Sequence, residues 1–207
     1  MGFAIATEAA RRGHDVTLIA GPVALKTPKG VKRVDVVNAR EMLKAALQSI
    51  STSCPGDCSS EHRSIGASEH LRNLSVFIST AAVADWRPAT CAAKKLKKSQ
   101  MSGTLKLVRN PDILKTLSKL TKPSKLPKPV LVGFAAETND VLAEAARKCR
   151  EKGLSFIVAN DVTKKGCGFG ADTNKVTFVF PDGEQKKFPL MTKRAVAKKI
   201  LDEVSRL

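Results

Sequence analysis

The chain has 207 residues and is 43% hydrophobic, which suits one domain with an ordinary globular core. Its formal net charge of +17 points to acidic partners: nucleic acid, phosphorylated metabolites or a membrane surface. No apolar run approaches the ~20 residues of a membrane helix, Glu8, Arg11 and Arg12 interrupt any signal-peptide core, and 4% aromatics with no Tyr leave little for base stacking.

A cytoplasmic protein that does not enter a membrane is the expectation. Met1 to Arg12 has apolar positions near helical spacing and predicts a helix stopped at Gly13. Asp15 to Ala20 is a short apolar run ended by Gly21-Pro22, hence a buried strand. Val31 to Val37 predicts a second strand, and Arg40 to Ile50 an amphipathic helix. Elements of these lengths in this order point to crossover units and a mostly parallel sheet. Residues 51–70 are small, polar and turn-rich, and read as a flexible surface insertion.

Leu74 to Ser79 returns as a core strand and runs into the small-residue segment Thr80 to Asp85. Ligands of open α/β sheets bind at such carboxyl ends. Thr104 to Val108 predicts a short strand. Asn110-Pro111-Asp112-Ile113 then opens a helix, with Asn110 as N-cap and Pro111 in the first helical position. Thr121 to Pro129 reads as a linker, Val130 to Phe134 as a strand, Thr138 to Lys152 as a helix closed by Gly153, and Leu154 to Val158 as another strand. Lys175 to Phe180 and Gln185 to Phe188 flank Asp182-Gly183, a favoured hairpin turn. Thr192 to Arg206 predicts a closing amphipathic helix.

The five cysteines, Cys54, Cys58, Cys91, Cys149 and Cys167, are odd in number and irregular in spacing, so free thiols are expected rather than a metal site. Residues 94–128 hold 11 Lys or Arg against the single acid Asp112. Within them, Lys94-Lys95-Leu96-Lys97-Lys98 offers ammonium groups for a triphosphate or a departing pyrophosphate; taken alone, the run reads more simply as a solvated surface loop. The helix start at Asn110 offers free N–H groups to a phosphate or a base edge, or is a plain capped terminus. Gly133 to Thr138 admits a ligand close to the backbone, or packs a strand on a helix. Asn160 sits at a strand end, where it binds a substrate or organises a turn. Gly166-Cys167-Gly168-Phe169-Gly170 has no helix after it, so a mobile loop is expected there ahead of a phosphate cradle. Asp85 is the one candidate for Mg²⁺, and no metal ligand is firmly assigned.

Taken in order, the segments MGFAIATEAARRGHDVTLIAGPV, VKRVDVVNAREM, AAVADWRPAT, KKLKK, VRNPDIL, VGFAAET and ANDV resemble bacterial-type phosphopantothenoylcysteine synthetase, the ligase half of a bifunctional decarboxylase–synthetase flavoprotein. The resemblance covers nearly the whole chain apart from residues 51–70. It implies a modified Rossmann-like α/β fold, mostly parallel and flanked by helices, with a C-terminal β-hairpin arm and a homodimer. It implies a ligase that joins 4′-phosphopantothenate to cysteine in coenzyme A biosynthesis, using CTP, or alternatively ATP, with Mg²⁺, and it leaves room for a separate decarboxylase partner. Carried over by position, Lys95, first lysine of K-x-K-K, is the catalytic residue. Ser79, Thr80, Ala81, Asp85, Asn110, Pro111, Asp112, Ile113, Phe134, Lys148 and Lys152 bind the nucleotide, and Ala82 and Asn160 the substrate.

The family pattern also has a strand and an R-x-I-(S/T)-N-x-S-S-G-K loop ahead of the Met-Gly pair, with its Asn handling the acyl intermediate. This chain opens at Met1-Gly2, so the expectation is a single synthetase domain over 1–207 without that strand and loop. That departure motivates the alternative of a non-catalytic nucleotide-binding paralogue. The charge alone motivates the remaining one, a nucleic-acid binder.

Overall fold

The computed structural model describes residues 1–51, 75–92, 94, 95, 97, 103–120, 128–137, 141–161 and 170–207. In chain order the elements are α1 (Gly2–Arg11), β1 (Val16–Ala20), β2 (Val31–Asp35), α2 (Ala39–Ser51), β3 (Val76–Ile78), β4 (Trp86–Pro88), β5 (Leu107–Arg109), α3 (Ile113–Ser118), β6 (Val130–Glu137), α4 (Val141–Glu151), β7 (Phe156–Asp161), β8 (Thr173–Asn174), β9 (Val176–Val179), β10 (Gln185–Lys187), β11 (Met191–Thr192) and α5 (Lys193–Val204).

The central sheet has five strands in the order β10-β9-β7-β6-β3. β3, β6 and β7 run parallel, and β9 and β10 continue the sheet antiparallel. Period-two alternation along these strands sorts their side chains into two cores. Val130, Val132, Phe156, Val158, Val176 and Phe178 face one side and pack with Ile5 and Ala9 of α1 and Val196, Ile200 and Val204 of α5. Leu131, Ala135, Ile157, Ala159 and Val179 face the other and pack with Ala46 of α2, Leu114 and Leu117 of α3, and Ala145 and Cys149 of α4. The result is a sheet between two helical layers, the doubly covered arrangement that a parallel sheet requires.

β1 and β2 form a separate parallel pair, and β4 and β5 a separate antiparallel one. Among the described residues, β1 pairs only with β2, and β3 pairs only with β6. The expected C-terminal hairpin is β9–β10, and it belongs to the central sheet as its antiparallel side; the antiparallel pairs outside that sheet are β4–β5 and β8–β11. The sequence had not suggested β4 at all.

Two glycines are fixed by close approach. A Cβ on Gly133 would lie 2.8 Å from Leu154 Cδ1 and 3.0 Å from Ile157 Cγ1, so Gly133 packs closely against Ile157 of β7 and Leu154 just before it. A Cβ on Gly2 would lie 2.7 Å from Thr80 Oγ1, so the glycine lets the start of α1 rest against the segment after β3 without displacing the Thr80 side chain.

Residues 52–70 of the expected insertion, 121–127 of the linker, 138–140 at the expected start of α4, Leu96 and Lys98 of the lysine run, and 166–169 of the glycine-rich loop lie outside the described residues. So do Cys54, Cys58 and Cys167; Cys91 and Cys149 are free thiols.

Candidate functional site

Three strand ends and one helix start converge on a cavity of about 570 Å³. Ser79, Thr80, Ala81, Ala82, Val83, Ala84 and Asp85, following β3, form one wall. Asn110, Pro111, Asp112, Ile113 and Leu114, from the end of β5 into α3, form another. Phe134 and Ala135 of β6 and Asn160 of β7 line it, as do Lys148 at the end of α4 and Lys152 just beyond. This is the carboxyl side of the parallel strands, where open α/β sheets accept ligands.

Hydrogen bonds across the walls hold the Asn110 corner. The Asn110 backbone N–H donates to Asp85 O at 2.7 Å, and its Nδ2 donates to Ala84 O at 2.7 Å. Arg87 Nη1 donates to Arg109 O at 2.6 Å and to Asn110 Oδ1 at 3.1 Å. The carboxamide of Asn110 therefore ties two walls together and does not cap a helix. The N-cap of α3 is Asp112, whose Oδ1 accepts from the Lys115 N–H at 3.0 Å. This corrects the expectation of Asn110 as cap and Pro111 as first helical residue: Asn110 finds partners across the β4–β5 ribbon, which moves the helix start to Ile113.

Lys152 Nζ lies 3.0 Å from Asp112 Oδ2. Partial burial works to raise the Asp112 pKa, but the Lys115 N–H and the Lys152 ammonium outweigh it, and the net shift is downward. Asp112 is thus an anion that holds both a helix start and a lysine in place.

Of the residues expected at the site, Ser79, Thr80, Ala81, Ala82, Asp85, Asn110, Pro111, Asp112, Ile113, Phe134, Lys148, Lys152 and Asn160 all line this cavity. Lys95 does not; with Lys94 and Lys97 it is exposed outside the lining. Among the described residues no cluster of three His, Cys, Asp or Glu side chains fits a metal ion. The cavity's carboxylates are Asp85 and the lysine-bound Asp112. A Mg²⁺ ion fits such a lining only as a guest of bound phosphates, with Asp85 as its protein contact, in keeping with the way Mg²⁺ retains waters and phosphate ligands.

Sequence reasoning passed over Met1, Asn174 and Lys193, which line the same cavity, and gave Gly170, also on the lining, no place in the site. Asn174 belongs to the two-residue strand β8 and Lys193 to the first turn of α5. The pairing of β8 with β11 brings them together. No periodic signal marks a two-residue strand. Burial first, and the nearby Lys193 charge second, lower the pKa of the Met1 amino group.

The fold and this cavity define a three-layered α/β domain with a ligand-sized hollow at the carboxyl ends of its parallel strands. The profile of the DNA/pantothenate metabolism flavoprotein C-terminal domain family matches residues 1–54 and 59–207, and the chain belongs to that family. It is 42% identical over 209 residues to the coenzyme A biosynthesis bifunctional protein CoaBC of Vibrio vulnificus, covering 100% of this chain and 46% of that protein. It is 43% identical over 207 residues to CoaBC of Escherichia coli, covering 99% of this chain and 45% of that protein. The chain thus spans about half the length of the curated relatives it matches. The crystal structure of the C-terminal domain of CoaBC superposes with a TM-score of 0.71 at 36% identity, over 99% of this chain and 80% of that one. No helix among the described residues is long and apolar enough to cross a membrane.

Proposed function

We propose that the chain is the ligase module of coenzyme A biosynthesis, joining 4′-phosphopantothenate to cysteine at the expense of a nucleoside triphosphate. The observation that carries this reading is the cavity that gathers Asp85, Asn110–Ile113, Phe134, Lys148 and Lys152 from four separate parts of the chain. Family membership and the CoaBC relatives support it.

The first step is attack by a carboxylate oxygen of phosphopantothenate on the α-phosphorus of the nucleotide. A P–O bond forms, the bond to the β-phosphate breaks, and pyrophosphate leaves. The cysteine amine then attacks the activated acyl carbon. The C–O bond to the nucleotide breaks, the nucleoside monophosphate departs, and an amide remains after the amine loses a proton. Among the described residues the cavity offers Lys148 and Lys152 for phosphate oxygens, and the backbone of Ser79 to Ala82 lets a ligand approach closely. Mg²⁺ held through the phosphates beside Asp85 would offset the charge of the leaving pyrophosphate. In this reading Lys95 supplies its positive charge to the phosphates of the bound nucleotide.

CTP is the nucleotide proposed, with ATP the comparison. Purified protein is expected to release pyrophosphate from CTP faster than from ATP, only when phosphopantothenate is present, and then to incorporate cysteine. Absence of release with both nucleotides would overturn the reading. Replacing Lys95→Gln is expected to slow release by more than about tenfold, roughly 1.4 kcal/mol in barrier; an unaltered rate would remove Lys95 from its role. The exposure of Lys95 outside the lining favours a second reading, a nucleotide-binding paralogue without turnover. That reading predicts CTP binding with no pyrophosphate release. A homodimer, a separate decarboxylase partner and a cytoplasmic location complete the proposal, and sedimentation of the purified protein tests the first.

A further inference from the structure

Arg11, Arg12, Arg33, Arg147 and Arg206 each hold a carboxylate. The cations beside the Asn110 corner hold none. There an open groove of about 660 Å³ runs between α2 and the β4–β5 ribbon, and it shares only Asn110 and Pro111 with the nucleotide cavity. Arg40 and Lys44 of α2 line one bank, and Arg87 and Arg109 of the ribbon line the other. No carboxylate lines the groove, and among the described residues none pairs with these four cations. Glu41, on the same helix, is committed to the start of α2, where it accepts from the Val37 N–H at 2.8 Å and from Asn38 Nδ2 at 2.6 Å.

The floor of the groove is apolar. Leu43 and Leu47 lie one turn apart on α2, beside Arg40 and Lys44, and Pro111 adds to them. Both leucines are half-buried, rooted in the core beneath the helix. The ribbon bank is held in place. Arg87 bonds Arg109 O and Asn110 Oδ1, yet its Nε has no acceptor among the described residues. The Arg109 guanidinium carbon lies 5.0 Å from the centre of the Trp86 ring, a cation–π contact that fixes that charge.

We propose that this groove docks an acidic amphipathic helix of a partner protein. Its apolar side chains would cover Leu43, Leu47 and Pro111, and its Asp and Glu side chains would meet the four cations. Such a helix matches both the floor and the banks. Inorganic phosphate or a nucleic-acid backbone would use the cations and leave the apolar floor in water. A second copy of this chain, at a net charge of +17, would bring a strongly basic surface against like charges.

The test is selection of helical peptides from a random displayed library on the wild-type protein, with Arg40→Glu/Lys44→Glu as the counter-target. Both substitutions fall on exposed positions of α2 outside the nucleotide cavity. CTP affinity of this double variant is expected to stay within about twofold of wild type, as for distant, independent sites. Should it fail to fold, Arg40→Gln/Lys44→Gln takes its place. Enriched peptides are expected to carry Asp or Glu beside apolar residues at helical spacing. A synthetic peptide of the enriched sequence is expected to bind the double variant about tenfold or more weakly than wild type. Its amide counterpart, with Gln for Glu and Asn for Asp, is expected to lose binding, as is one with serines in place of its apolar residues. Enrichment without an acidic bias, or equal binding to wild type and the double variant, overturns the docking surface. So does full binding by the serine peptide, or displacement by pyrophosphate at matched ionic strength, since either would make the groove a site for anions alone.

Discussion

Glu8 is a carboxylate almost out of reach of water on a helix that faces the core, and two arginines make it tolerable there. Arg11 Nη2 lies 2.7 Å from its Oε1 and Arg12 Nε 3.1 Å, while Arg12 also reaches Asp202 of α5 at 2.8 Å. The hydrogen bonds from Arg11 outweigh burial, Arg12 adds to them, and the Glu8 pKa falls to about 2 from 4.5. A carboxylate whose folded-state pKa is depressed stabilises the fold above its unfolded pKa and loses that contribution as pH falls. Stability contributed by Glu8 is therefore complete above about pH 4.5 and disappears between there and about pH 2. The Glu8→Gln variant is expected to be less stable than wild type near neutrality and to show a flatter decline in urea midpoint across that window. Identical slopes would assign the acid sensitivity to other carboxylates. Cys149 shows the opposite consequence of burial. With its Sγ against Leu154 O at 3.6 Å, desolvation pushes its pKa up to about 11, so it is a packing residue and not a nucleophile.

At the scale of elements, most of what could be read in the sequence was periodic. The strands around Val130–Phe134 and Leu154–Val158 and the helices at both ends carry apolar alternation or helical spacing, and the structure places elements there. What escaped was non-local. β4 is three residues, Trp86-Arg87-Pro88, with no pattern of its own; it exists because Trp86 meets Arg109 and Pro88 meets Leu107 across a long loop. The cap of α3 moved from Asn110 to Asp112 for the same reason, and Asn174 entered the cavity through a two-residue strand. The ribbon makes Arg87 a positioning residue, since it bonds both Arg109 O and Asn110 Oδ1. Both bonds leave the one nitrogen Nη1, and an uncharged apolar side chain supplies neither. Arg87→Met is expected to loosen the Asn110 corner and weaken CTP binding by about 1 kcal/mol, roughly fivefold, with the thermal midpoint nearly unchanged. Unaltered CTP affinity would show that the corner holds without Arg87.

For the whole molecule, the +17 charge and the cavity belong together. A strongly basic surface raises the encounter rate of phosphorylated substrates and loses that advantage as salt rises. The cationic excess thus needs no nucleic acid to explain it. The separation of β1–β2 from the central sheet has a different consequence, for how the molecule breathes. Amides in β6 and β7 are bonded on both sides and lie between two apolar cores, whereas those of β1 bond only toward β2 among the described residues. Hydrogen exchange followed at rising denaturant is expected to resolve two cooperative units. Leu18, Ala20 and Val36 should open at lower free energy than Val132, Ile157 and Val158. A single opening energy for both groups would mean that α1 and α2 clamp the small sheet as tightly as strand pairing would. If there are two units, the β1–β2 pair opens while α1 stays packed on α5 through Ile5, Ala9 and the Arg12–Asp202 pair, and the Met1 side of the cavity wall outlasts the small sheet.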